Sequence, residues 1–197
     1  MSIKKEISRF EQLDLDKSYT YDDYYSWKFE EKVELIKGKI FKMPPVPARK
    51  HQKVSWRLNF ELGKYFSGNP CEVYYAPFDV RLHSKSNETV ITVVQPDICV
   101  VCDLTKLDDK GCVGAPDLVI EILSPGNTEK EMKFKFDLYE EAGVKEYWIV
   151  NPDDKWVSIY VLKNGRYISH RPFISSDIIK SQIFEGLEFP AEDIFRD

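Results

Sequence analysis

The alternation of apolar and polar residues changes period several times along the chain, and each change predicts an element. Residues 117–123 (Asp-Leu-Val-Ile-Glu-Ile-Leu) are apolar at most positions, the pattern of a buried strand, with Glu121 in the middle. A helical period follows. At roughly 100° per residue, Met132, Lys135, Phe136, Tyr139 and Ala142 fall within about a third of a turn. Gly143 ends this helix as a C-terminal glycine does, and 147–150 (Tyr-Trp-Ile-Val) reads as another short buried strand. The short turn Gly126-Asn127-Thr128 returns the helix onto its own strand.

Upstream, Thr20 caps a helix over 21–27, with Asp22 and Asp23 in the first turn where the helix dipole favours anions. Segments 33–36 and 39–41 flank Lys37-Gly38 as a hairpin. Pro44, Pro45 and Pro47 break the chain before a helix over 48–66, on which Val54, Leu58, Leu62 and Tyr65 recur at helical spacing. Residues 72–82 and 90–102 read as two antiparallel strands about a turn at 84–87, and 103–114 as a polar loop. Asn164-Gly165 marks a hairpin of 156–161 with 166–172. The remainder, 177–197, predicts short strands and a closing loop or helical turn, and 1–19 a loosely held arm. This order implies one α/β (α+β) domain over 1–197, with its core at 48–150 and a hairpin and closing segment at 156–197.

Composition narrows the class. Hydrophobic residues make up 43% and charged residues 31%, the profile of a soluble globular protein, and no apolar run approaches membrane-spanning length. The first residues lack the apolar stretch of a signal peptide, so a cytoplasmic location is expected. A net charge of −5 argues against tight non-specific DNA binding but leaves room for a local basic groove. Cys99 and Cys102 form a Cys-x-x-Cys, but on a strand positions three apart face opposite ways, and no second paired motif exists. Small buried cysteines, with Cys71 and Cys112, are therefore expected instead of zinc.

The chemistry concentrates on polar residues in apolar company. Alternation puts Glu121 on one strand face with Asp117, Val119 and Leu123, while Lys135 sits inside the packing stripe of the following helix. A carboxylate in a core strand and an ammonium on a core-facing helix are costly unless they meet partners. With Asp97 as a second acid, they suit metal-dependent phosphodiester hydrolysis. Asp97 and Glu121 would hold a hard cation, Mg²⁺ or Mn²⁺, and Lys135 would orient water or neutralise transition-state charge. Secondary candidates are Glu34, which a solvated strand face explains equally well; His51, which opens its helix; Asp79; and Asp117, about two pleats or roughly 13 Å from Glu121. The competing explanation of Glu121 and Lys135 is an ion pair that fixes helix on sheet. The acid-x-Lys triplets at Glu131, Asp108 and Asp153 lie on a helix or in polar loops and carry no weight.

Several stretches carry a resemblance: Glu34-Leu35-Ile36-Lys37-Gly38, His51-Gln52, 95–101 around Pro96-Asp97, 115–125 around Glu121, Lys135 with Tyr139, and 143–150. Over about residues 18–195 the chain resembles a large, mostly uncharacterised bacterial family of restriction-endonuclease-like proteins, abundant in cyanobacteria, within the PD-(D/E)XK nuclease superfamily. The resemblance implies a restriction-endonuclease-like core, a mixed central sheet flanked by helices, with N-terminal and C-terminal β additions. It implies a Mg²⁺-dependent DNA endonuclease, with Asp97 and Glu121 as metal-binding acids and Lys135 as the catalytic lysine. The alternative is a catalytically weak or inactive nucleic-acid-binding or protein-interaction module on the same fold. Two departures stand out: Leu123, not lysine, follows two after Glu121, so Lys135 stands in from the helix; and Glu131 occupies a place where the family often has Asp. Many nucleases of this fold are homodimers, and aromatics over 21–27 and 156–160 are the expected contact.

Overall fold

The computed structural model describes residues 7–43, 48–84, 87–125 and 129–196, without the side chains of residues 84, 87–89, 129 and 130. The expected breaks at Pro44, Pro45 and Pro47 and the turn over 126–128 lie outside the described residues.

The first half of the chain runs α1 (Tyr21–Ser26), β1 (Val33–Ile36), β2 (Lys39–Lys42), α2 (Arg49–Phe66), β3 (Glu72–Tyr75), β4 (Val80–Ser84), β5 (Asn87–Val94) and β6 (Ile98–Val101). The second half runs β7 (Leu107–Asp108), β8 (Gly111–Val113), β9 (Leu118–Ile122), α3 (Glu129–Ala142), β10 (Glu146–Asn151), β11 (Trp156–Lys163), β12 (Arg166–Ser169), β13 (Phe173–Ile174), β14 (Ile178–Lys180), β15 (Glu188–Pro190) and α4 (Ala191–Phe195). One sheet has the order β2-β1-β5-β4-β8-β7, and a second β12-β11-β10-β9-β6-β3 with β13 on β11. Strands β9 and β10 are parallel and joined through α3; the other neighbours in the second sheet are antiparallel. This is a mixed α/β fold with a central sheet flanked by helices and added strands, as expected.

The second sheet is covered on both faces. Leu118, Ile120 and Ile122 of β9 pack with Val54, Leu58 and Leu62 of α2 and with Ile194 and Phe195 of α4. Val119, from the opposite face, packs with Leu138 and Tyr139 of α3 and with Val80 and Val94 of the first sheet. Glu121 shares the Val119 face. Two-sided burial explains the apolar run in this strand, and alternation decides that the carboxylate points toward α3.

Three expectations needed correction here. The two long strands each divide. Residues 72–82 break around Pro77 into β3 and β4, and 90–102 break at Pro96-Asp97 into β5 and β6, so that one half of each joins each sheet. Proline has no N–H to give a ladder, so both breaks fall where ladder pairing stops. The amide of Ala76 donates instead to the carbonyl of Asp97 (3.1 Å), which sets Asp97 at the crossing between sheets. The expected loop at 103–114 contains a 3-10 turn and the β7–β8 hairpin, which attaches alongside β4. Cys71 and Cys102 are joined by a disulfide, because the β3–β6 register that pairs Glu72 with Val101 brings them opposite each other; Cys99 and Cys112 are buried and free, as expected.

Trp156 and Tyr160, expected as part of a subunit contact, are half-buried on the cluster beneath α3; Tyr160 meets Phe136 edge-on at 4.9 Å. The aromatics of 21–27 contact one another: Tyr21 stacks on Tyr24 and meets Tyr25 at a tilt, and Tyr24 meets Trp27 edge-on. No helix among the described residues is long and apolar enough to cross a membrane.

Gly111 makes the β7–β8 attachment possible. Its φ is +123°, and a Cβ there would lie 2.2 Å from the Asp79 carbonyl oxygen, which accepts the Cys112 amide. Gly111→Ala combines a disfavoured backbone region with a clash against rigid backbone. It is expected to lower unfolding free energy by about 2–4 kcal/mol in urea titration. A midpoint equal to wild type would contradict the close approach.

Candidate active site

Four separated elements bring the polar residues together. Strand β1 is buried at every position, Glu34 included, which is 4% exposed; the solvated-face explanation of Glu34 is therefore wrong. Helix α3 turns Lys135 inward. Its ammonium lies 3.1 Å from Glu34 Oε1 and 3.0 Å from Glu121 Oε1. One turn later on the same stripe, the Tyr139 hydroxyl donates to Glu121 Oε1 at 2.7 Å. Lys135 thus joins a carboxylate of the first sheet to one of the second.

Asp97 stands beside Glu121. Its Oδ2 accepts the Ile122 amide of β9 (2.7 Å), and its Oδ1 lies 3.1 Å from His51 Nε2. The buried face of α2 supplies His51, which its position at the helix start left open between facing the site and an exposed helix end. His51 Nδ1 is buried with no hydrogen-bond partner among the described residues. Asp79 borders the group: its Oδ1 accepts from Gln95 Nε2 (2.8 Å) and from the Tyr24 hydroxyl (3.2 Å), while the Gln95 amide donates to Glu34 Oε1 (3.0 Å). Asp117 lies apart. It accepts from Lys145 Nζ (2.6 Å) and from the Cys102 amide (2.8 Å), tying the start of β9 to the end of β6. The structure therefore gathers Asp97, Glu121, Lys135, Glu34 and His51, sets Asp79 at the margin, and gives Asp117 a bracing part.

Gln95 and Tyr139 have connecting roles that sequence reasoning did not assign. The place of Gln95 directly before Pro96-Asp97, and that of Tyr139 one turn from Lys135, were the available signals. A cleft of about 30 Å³, lined by Glu121, Met132, Lys135 and Tyr147 among others, opens beside the carboxylate. That is space on the scale of a water molecule.

The electrostatics follow from burial. Burial raises the Glu121 pKa, the Lys135 charge opposes it, and Asp97 and Glu34 raise it further; the carboxyl is pushed up to about 7. Burial alone would lower the Lys135 pKa, but Glu121 and Glu34 outweigh it and hold the ammonium well above its usual value. Burial likewise works against His51 protonation. The hydrogen bond and charge of Asp97, with smaller help from Glu121 and the Ile122 backbone, prevail and raise its pKa. Among the described residues, no group of three or more His, Cys, Asp or Glu side chains is disposed to hold a metal ion.

These shifts give stability a sign. Glu121 is raised from 4.5 in the unfolded chain, so its contribution is full below that pH and is lost as pH rises through about 7. His51, raised from 6.5, acts in the same direction; Lys135 stays charged throughout this window. Metal-free protein is expected to show a falling urea midpoint between about pH 5 and pH 8, with a shallower fall in Glu121→Gln. A midpoint that rises over this window would refute the assignment.

Comparison with known proteins places the chain in a family and a fold. Residues 21–192 match the family Uma2, described as "Putative restriction endonuclease". An uncharacterised protein of Synechocystis sp. is 25% identical over 178 residues, covering 89% of this chain and 90% of that protein. A crystal structure from Anabaena variabilis, described as a "putative nuclease belonging to DUF820", superposes with a TM-score of 0.70 over 90% of this chain and 97% of that one, at 20% identity. At that identity the likeness speaks to the fold.

Proposed function

From the premise that the chain belongs to the Uma2 family of restriction-endonuclease-like proteins, we propose that it is a Mg²⁺-dependent endonuclease that hydrolyses phosphodiester bonds of DNA. The observation that carries the reading is the burial of Lys135 between Glu121 and Glu34, with Asp97 close enough to Glu121 for its charge to act there.

The donor set suits the metal. Mg²⁺ is commonly held by one or two carboxylates, with waters and substrate phosphate oxygens completing its shell. Asp97 and Glu121 are two such carboxylates, close enough that the Asp97 charge raises the proton affinity of Glu121. They would hold the ion, or Mn²⁺ in its place. When bound it would polarise the phosphoryl oxygen and acidify a water. The remaining work belongs to this chain's own groups. Lys135 carries a fixed positive charge to where negative charge grows on the phosphorus oxygens. Tyr139 holds Glu121, the Ile122 amide and His51 hold Asp97, and Glu34 holds the lysine against thermal displacement.

The test is nicking of supercoiled plasmid and of single-stranded DNA with Mg²⁺ or Mn²⁺, beside an EDTA control and Glu121→Gln. Wild type is expected to cleave, and Glu121→Gln to lose on the order of 100-fold or more. Equal products from both proteins would end the proposal. A homodimer would present two such sites to the two strands of a duplex, and a solution mass of one chain at micromolar concentration would remove that part.

The second reading is an inactive nucleic-acid-binding or interaction module. It is favoured by the absence of a three-member ligand group among the described residues. In that case Lys135 serves only to fix α3 between the sheets, and Glu121→Gln changes stability without any cleavage to lose.

A further inference from the structure

Helix α2 has a second face that the site does not use. Its inner stripe, with His51, Val54, Leu58, Leu62 and Phe66, is buried. At roughly 100° per residue, Arg49, Lys53, Trp56, Arg57, Phe60 and Lys64 fall within about a third of a turn on the opposite side. Trp56 and Phe60 are 66% and 55% exposed, although each is a large apolar ring. Their rings stack on each other with centroids 6.1 Å apart and planes at 19°, and Lys64 sits over Phe60 at 4.9 Å.

Alongside lies a cleft of about 300 Å³ between α2, the β10–β11 turn and α4. Its charged lining is Arg49, Lys50, Lys53, Arg57, Lys155 and Arg196, with no acidic side chain among the described lining residues. Lys50 is paired with Asp153 (2.7 Å), and Arg57 donates to the Arg196 carbonyl. Arg49, Lys53 and Lys155 make no ion pair among the described residues. A concentration of cations on one face of a chain with net charge −5 selects a polyanion.

We infer that the outer face of α2 and its adjoining cleft bind an unpaired nucleic-acid strand, with backbone phosphates on Arg49, Lys53 and Lys155 and bases stacked on Trp56 and Phe60. The two features call for one another. Cations alone would fit any polyanion, but a projecting aromatic pair needs an open base face, which a duplex keeps covered by its neighbours. From Arg49 to Arg57 the helix rises about 12 Å, the length of about three stacked nucleotides at roughly 3.4 Å each. His51, in the first turn of the same helix, reaches Asp97 from the inner face, so the acidic cluster lies across α2 from one end of the proposed strand. The inference rests on the nuclease reading for the fate of the bound strand; the binding itself is measured without it.

The experiment is fluorescence anisotropy of a labelled 20-nucleotide single strand and of the matching duplex, in EDTA, at 50 and 200 mM salt. It compares the wild type with Arg49→Ala/Lys53→Ala, Trp56→Ala, Trp56→Phe and Glu121→Gln. The track residues are at the surface, and circular dichroism checks that each variant is folded. Wild type is expected to bind the single strand more tightly than the duplex. The double variant should bind at least tenfold more weakly, with the slope of log affinity against log salt reduced by about 1.4. Trp56→Ala should lose about tenfold and Trp56→Phe much less. Wild type that fails to bind the single strand or prefers the duplex overturns the inference, as does undiminished binding by the double variant or by Trp56→Ala. Intact binding in a wild type that does not cleave would defeat the nuclease reading alone.

Discussion

Lys135→Ala is expected to abolish DNA cleavage and also to lower unfolding free energy by about 3–5 kcal/mol. The two effects share one cause. Glu34 and Glu121 both approach the ammonium, and both carboxylates are largely shut off from water. Removing the lysine leaves them facing each other with Tyr139 and the Gln95 amide as remaining donors. Glu121 would then take up a proton at still higher pH, because the Lys135 charge is the main influence holding its pKa down. A second variant separates structure from chemistry. Glu34→Gln/Lys135→Met removes one acid and replaces the ammonium with an apolar stem of similar length. It should recover a large part of the stability lost in Lys135→Ala, yet remain inactive. If it cleaves like wild type, the lysine is only a brace.

Glu146→Ala is expected to be the most damaging substitution away from the site, at about 4 kcal/mol. Glu146 is fully buried, and burial raises its pKa against the hydrogen bonds that lower it. Its Oε1 accepts from the Trp148 indole (2.6 Å). Its Oε2 accepts from the amides of Gln182 (2.7 Å) and Ile183 (3.0 Å) and from the Ser181 hydroxyl (3.2 Å). Alanine would take this acceptor from the Trp148 indole, the Gln182 amide and the Ser181 hydroxyl, at about 1–3 kcal/mol for each that water cannot reach, while the Ile183 amide keeps its 3.3 Å bond to Ser181 Oγ. The consequence spreads, since residues 181–183 link β14 to β15 and so hold α4 against α2. Urea unfolding should show the loss, and limited proteolysis should cut earliest within 175–196. Wild-type resistance in that segment would mean that Glu146 is not its anchor.

The legibility of the site tracks sequence distance. Glu121 and Lys135 belong to one strand–helix unit, and alternation on β9 with periodicity on α3 was enough to aim them at each other. Glu34 and His51 were harder. Their partners lie on remote elements, so the sequence allowed a solvated place for Glu34 as readily as a buried one, and left an exposed helix end open for His51 beside the site. Asp117 and Glu121 share a strand face, but only the first meets Lys145 and the Cys102 amide, a distinction that period-2 alternation does not make. Asp97 came from the short Pro-Asp pattern and its resemblance to nuclease motifs; why it sits at a crossing between sheets was not visible. The basic and aromatic face of α2 is written in the sequence as a helical stripe, but whether Trp56 and Phe60 lie outside or inside depends on what covers them.

What the chain determines locally is the set of elements: the capped α1, the β1–β2 hairpin, α2, the β9–α3–β10 unit and the Asn164-Gly165 hairpin, each specified by neighbours a few residues apart. Only the tertiary structure decided that the 72–102 hairpin divides between two sheets, that Cys71 meets Cys102, and that Lys135 serves two carboxylates instead of one. The reason is physical. Periodicity reports which face of an element avoids water, but the partner of a buried charge is chosen by strand register and sheet packing, and these are properties of the assembled chain.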